Sequence, residues 1–146
     1  MIIGIDFGAK NVGTTVIARM YEHNKVDFFA AEKNQDADEF IKKFIEEQED
    51  IWLAYIDAPL SLPMVYKRIN GSNDFFYREA DRLTGAMSPM FLGGLTARAM
   101  KLKLEVEAMG IKMVETYPSK LAEVLHLKEK DYKGDKSQIP VLCDAL

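Results

Sequence analysis

Apolar residues fill most of positions 1–7, MIIGIDF, a run closed by the carboxylate of Asp6. After the polar hinge Gly8-Ala9-Lys10-Asn11, residues 12–19 are rich in Val, Thr and Ile, a composition that predicts the second strand of a hairpin. Residues 26–30 extend this to a three-strand antiparallel meander. Between 36 and 47 the period changes: Ala37, Phe40, Ile41, Phe44 and Ile45 share one helical face, opposite Glu39, Lys42, Lys43, Glu46 and Glu47. Residues 51–57, IWLAYID, form a nearly continuous apolar run, as expected of a central strand covered on both faces. A helix separates it from the meander, so this strand is expected to lie parallel to the first. Pro59, Pro63 and Gly71 mark residues 58–72 as a loop. A helix is predicted over 74–84, capped by Asn73 or Ser72 and stopped by Gly85. Leu95, Ala99, Leu102, Val106 and Met109 mark a second helix ending at Gly110. Residues 111–116 form the last strand, and Pro118 opens a short helix through Leu125. The predicted class is α/β, with a mixed five-stranded sheet of three antiparallel and two parallel strands flanked by helices.

Composition narrows what such a chain does. Its 146 residues suit a single domain, and 48% hydrophobic against 29% charged residues is enough apolar material to fold. The net charge of -4 argues against broad, sequence-blind adhesion to nucleic acid, although a local basic patch is compatible with it. With one cysteine, Cys143, and two histidines, His23 and His126, neither an internal disulfide nor a Cys- or His-rich zinc site is expected. The first residues enter a strand without a basic leader, and no apolar run approaches the ~20 residues of a membrane span. The expectation is a cytoplasmic protein without membrane contact.

Three strands end in acids: Asp6 closes the first, Asp57 the buried one, and Glu115 nearly closes the last. Ligands in open α/β sheets gather outside the carboxyl ends of parallel strands, so the three carboxylates are expected at one edge. Such acids often only cap turns, but held together they repel unless a cation neutralises them, and all-oxygen ligands favour Mg²⁺ or Mn²⁺. A carboxylate-held metal site that activates water for attack at phosphorus follows. Asp57, after six mostly apolar residues and before Ala-Pro, is expected to be partly buried.

Gly4, Gly8 and Gly13 bracket Asp6, with Lys10 and Asn11 at the tip of the turn, an arrangement suited either to phosphate approach or to a plain hairpin. Arg78, Asp81 and Arg82 share a helical face, either aiming guanidinium forks at a phosphate or forming an ion-pair ladder. Between 78 and 103 five basic residues face two acids, Glu79 and Asp81, which offers an anionic substrate a landing place. Tyr66, Phe75, Phe76 and Tyr77 are candidates for base stacking or for core and lid packing.

The opening MIIGIDFGAKNVGTTVIA resembles the first hairpin of the ribonuclease H-like superfamily, in the style of its Holliday-junction-resolvase-like branch. YIDAPLSLP, FFYREADRLTG and KMVETYPSKL resemble, in the same order, linked motifs of an uncharacterised family of predicted nucleases with that fold. The resemblance covers most of residues 1–125. It implies a ribonuclease H-like domain over 1–146, with Asp6, Asp57 and Glu115 as catalytic metal ligands for Mg²⁺ or Mn²⁺. Arg78, Asp81 and Arg82 fall on the family's basic helix motif. Members of the superfamily often place a further acid on a terminal helix, for which Asp144 is the candidate here. Either Asp144 takes that place, or the helix lies outside this chain, or the site works with three acids. Ser61 stands where the family has another small residue.

The expected function is metal-dependent nuclease activity on DNA or RNA, with Lys10, Arg78 or Arg82 clamping the phosphate and a homodimer as a reasonable assembly. Two alternatives remain: a nucleotide-binding module of the actin-like ATPase type, and a non-catalytic binding protein on the same fold.

Overall fold

The computed structural model describes residues 1–20, 25–68 and 71–126. The chain divides after Thr116 into two compact units, Met1–Thr116 and Tyr117–Leu146. The first unit contains a five-stranded sheet made of β1 (Ile2–Asp6), β2 (Val16–Met20), β3 (Val26–Ala30), β4 (Leu53–Ile56) and β5 (Lys112–Glu115), in the order β3-β2-β1-β4-β5. Strands β1, β2 and β3 form the antiparallel meander, while β4 and β5 run parallel to β1. The mixed α/β sheet is therefore as the apolar pattern predicts.

Strand β2 starts later than the Val/Thr-rich run because residues 8–15 form a long turn folded over the start of the first helix. The Gly8 amide donates to the Thr15 hydroxyl at 3.0 Å, and Thr15 is fully buried. Asn34 and Ala37 amides donate to the carbonyls of Asn11 and Lys10 at 3.0 and 2.8 Å. Gly13 sits at φ 79°, and a Cβ there would meet the Lys33 nitrogen at 2.8 Å, so both conformation and space demand glycine.

Helix α1 (Ala37–Glu46) is capped by Asp36, whose carboxylate accepts from the amides of Asp38 and Glu39. Desolvation alone would raise the Asp36 pKa, but the hydrogen bonds from Lys10 and from the two amides outweigh it and hold the carboxyl below its ordinary value. The helix predicted over 74–84 is shorter, α2 (Glu79–Thr84), because Asp74 folds the preceding residues into a turn by accepting from the amides of Phe76 and Tyr77, both at 2.9 Å. A short α3 (Pro89–Leu92) leads into α4 (Gly94–Ala108), after which Gly110 turns the chain at φ 84°.

Helices α1 and α4 cover one face of the sheet. Ile41 and Ile45 from α1 and Ala99, Leu102 and Val106 from α4 join Ile3, Ile5, Ile17, Ala54, Ile56 and Met113 in a single core. The other face carries exposed side chains among the described residues. Tyr55, expected to be covered, is 40% exposed, and Phe28, Val26 and Met20 are also exposed. Strand β4 is thus buried on the helix side at Ala54 and Ile56, while its other face is buried at Leu53 and exposed at Tyr55. The second unit is described over residues 117–126, where Pro118 begins α5 (Pro118–Val124) at a position that lacks an amide partner in any helix. No helix among the described residues is long and apolar enough to cross a membrane.

Ile56 is fully buried between the strands and the helices. Ile56→Ala is expected to cost about 2–5 kcal/mol in urea unfolding, through lost transfer energy and an unfilled cavity.

Candidate functional site

The parallel ladder brings the ends of β1, β4 and β5 to one edge. Ile5 pairs with Ile56 and Ile56 with Glu115, and the ladder runs one residue further through Asp57 N to Ile5 O and Thr116 N to Ile56 O, both at 2.9 Å. Asp6 and Asp57 therefore stand side by side on strands about 4.8 Å apart. Both fall on the sheet face of Gly4 and Tyr55, and both are exposed, which corrects the expectation that Asp57 is partly buried. Glu115 aligns with Ile56, not with Asp57, and alternation sends it toward the helix-covered side. The three acids share an edge but not a face. Among the described residues no group of three or more Asp, Glu, His or Cys is placed to hold a metal ion. Asp144 lies outside the described residues.

Glu115 belongs instead to a polar network centred on Arg78. Its two oxygens accept from Arg78 Nη1 and Nη2 at 2.7 and 2.6 Å, and Oε2 also accepts from the Leu60 amide at 2.9 Å. Arg78 Nε and Nη2 reach Asp81, and Nη1 donates to the Ser61 hydroxyl at 3.1 Å. Asp81 closes the box by accepting from the Arg78 amide at 2.8 Å, and it is 1% exposed. All five guanidinium donors point at internal acceptors. Desolvation would lower the Arg78 pKa, but its hydrogen bonds to Asp81 and Glu115 prevail and hold it above the ordinary arginine value. The loop after Asp57, the start of α2 and the end of β5 are thereby tied together. Arg78 and Asp81 act here as the local ion pair that was the alternative to a phosphate clamp.

Arg82 differs. It is 61% exposed, pairs with Asp74, and lies 4.6 Å from the centre of the Tyr77 ring. Hydrogen bonds from Tyr77, from Arg82 and from the Phe76 amide lower the Asp74 pKa to about 2. Lys10 is also largely exposed, 3.1 Å from Asp36. The remaining cations of 78–103 are matched: Arg98 pairs with Asp38 at 2.6 Å, Lys101 with Glu105 at 3.2 Å and Lys103 with Glu107 at 3.6 Å. The basic excess counted along that segment is therefore largely neutralised in space.

Arg98, one of the five basic residues between 78 and 103, helps to shape the turn after Asp6. Its Nη1 donates to the Gly8 carbonyl at 3.1 Å, and its guanidinium stacks 4.6 Å from the Phe7 ring centre. Asp38 lies 60 residues earlier on another helix, so no spacing rule signals the pair. Ser61 and Asp74 are the other contributors that sequence spacing does not single out as site residues.

Comparison with known protein families, with curated proteins and with solved structures finds no match.

Arg78→Met leaves Asp81 buried and unpaired, so it is expected to destabilise the fold by about 3–5 kcal/mol in chemical denaturation. Asp74 has a lowered pKa in the folded state, so its contribution is present above the unfolded carboxyl value near 3.8 and is lost as pH falls toward about 2. The difference in Tm between wild type and Asp74→Ala should hold steady above pH ~4 and shrink toward zero near pH ~2.

Proposed function

We propose that the protein is a metal-dependent phosphodiesterase that hydrolyses nucleic acid. The observation that carries this reading is the exposed pair Asp6 and Asp57, adjacent at the carboxyl edge of parallel strands. Two carboxylates fit the donor number that Mg²⁺ takes from a protein when water and substrate phosphate complete its shell. Mn²⁺ accepts the same oxygen ligands. When bound, the cation supplies Lewis-acid stabilisation of the charge that develops at phosphorus and lowers the pKa of the attacking water.

The chain's own groups have distinct parts in this proposal. Asp6 and Asp57 provide the negative pair. Glu115, expected as a third ligand, acts instead by holding Arg78 and the Leu60 amide, which fixes the loop that begins at Asp57. Lys10, on the turn after Asp6 and paired with Asp36, and Arg82, paired with Asp74, are exposed cations that would turn to a phosphate in this proposal. Arg98 keeps the Gly8 carbonyl fixed and so sets the turn that carries Lys10.

One observation favours a second reading, a non-catalytic binding protein: the commitment of Glu115 to Arg78 leaves two acids rather than three on one face of the edge. A single assay separates the two. Wild type is expected to cleave fluorescent DNA or RNA oligonucleotides in Mn²⁺ or Mg²⁺ and to stop on chelation. Asp57→Asn should keep its fold by circular dichroism and lose more than the ~10–100-fold typical of an outer-shell partner. Folded wild type that cleaves no oligonucleotide with either metal supports the binding protein.

A further inference from the structure

Seven of the eighteen exposed large hydrophobic side chains among the described residues fall between positions 64 and 91, beside the site but outside the network that holds it. Tyr66 and Phe75 meet edge to face, with ring centres 6.2 Å apart, and are 47% and 55% exposed. Phe76, 52% exposed, packs against Phe91 at 5.6 Å. These rings lie outside the hydrophobic core; the alternative to base stacking that the sequence offers is core or lid packing.

The segments that carry Tyr66 and Phe75 also wall a cavity of about 350 Å³, whose lining includes Met64, Ser72, Asn73, Arg82 and Leu83 and the acids Asp74 and Glu79. That volume falls within the range of small-ligand pockets, at its lower end. The wall has the mixture a nucleotide needs: apolar surface from Met64 and Leu83, amide and hydroxyl groups from Asn73 and Ser72, and a guanidinium with donors to spare on Arg82. Beside it, Lys67 and Arg68 are exposed, and neither forms a salt bridge among the described residues. They are exceptions in a segment whose other arginines are paired.

We propose that this surface binds an unpaired nucleic-acid strand, with bases stacking on Tyr66, Phe75 and Phe76 and one nucleotide entering the cavity. Stacking needs open base faces, which a duplex hides, whereas aromatic rings interleaved with cations suit a single strand of any sequence. Lys67, Arg68 and Arg82 meet the phosphates, and Asn73 faces a base edge. The carboxylates of Asp74 and Glu79 also line this cavity and disfavour any phosphate inside it, so the base rather than a phosphate enters. The inference rests on the phosphodiesterase reading for the fate of the strand, but binding itself needs no metal.

The test is fluorescence anisotropy in EDTA, with a short labelled oligothymidylate, a duplex of equal length and anionic phospholipid vesicles as probes. Wild type is expected to bind the single strand at least about tenfold more tightly than the duplex and to weaken with salt. Tyr66→Ala/Phe75→Ala, whose rings are exposed and whose fold is checked by its melt, should lose about tenfold or more of single-strand affinity. Lys67→Ala/Arg68→Ala should reduce the salt slope. Equal affinity for the duplex, unchanged binding by the aromatic variant, binding to vesicles alone, or no binding to any probe overturns the proposal. Because the anisotropy excludes metal, binding in EDTA with no cleavage in the Mn²⁺ or Mg²⁺ assay counts against the catalytic reading alone, and cleavage in that assay without aromatic-dependent binding in EDTA counts against the platform alone.

Discussion

Five N–H donors on one guanidinium hold together the elements at the carboxyl edge of the parallel strands. Arg78 joins the loop that leaves β4, the first turn of α2 and the end of β5 through Ser61, Asp81 and Glu115. Asp81 is almost fully buried, so the pair is tolerable only because each charge has a hydrogen-bonded partner. Replacing Arg78 leaves Asp81 buried without a cation, whereas Arg78 itself is held from two sides, by Asp81 and by Glu115. The acids beyond it, Asp6 and Asp57, are therefore presented on a fixed edge.

The pleat of the sheet imposes the second constraint. Three strands that all end in acids need not gather those acids, because a one-residue change of register moves a side chain to the opposite face. Glu115 is that one residue short of the Asp57 row. It is consequently drawn to the helix-covered side, where Arg78 and the Leu60 amide receive it. Two carboxylates thus stand on the face of Gly4 and Tyr55, and the third is held in the Arg78 network.

Much of the fold is legible in the residue pattern. The strand order follows from a meander, a crossover helix and a buried apolar run, and α1, β3 and α4 lie within a residue or two of where periodicity puts them. The departures have local causes. Asp74 converts the first turn predicted for α2 into a side-chain-capped loop, and the glycine turn of residues 8–15 takes up the start of the second apolar run. Within the candidate site, the acids are visible because they interrupt or close apolar strands. Their facing is not, since strand-end register depends on pairing that no single strand encodes. The Arg98 to Asp38 pair is invisible for the same reason: its members lie on different helices, and only their packing brings them together.

The central claim is that Asp6 and Asp57 form one divalent-cation site at the carboxyl edge of the sheet. Mn²⁺ titrated at substoichiometric levels into isotopically labelled protein tests it directly by paramagnetic broadening of backbone amides. The account predicts that Phe7, Gly8 and Ala58 broaden first, while Ile2, Leu53 and Lys112 at the opposite end stay sharp, and that Asp57→Asn removes the effect. Uniform or absent broadening in the wild type, or the same pattern in the variant, would contradict it.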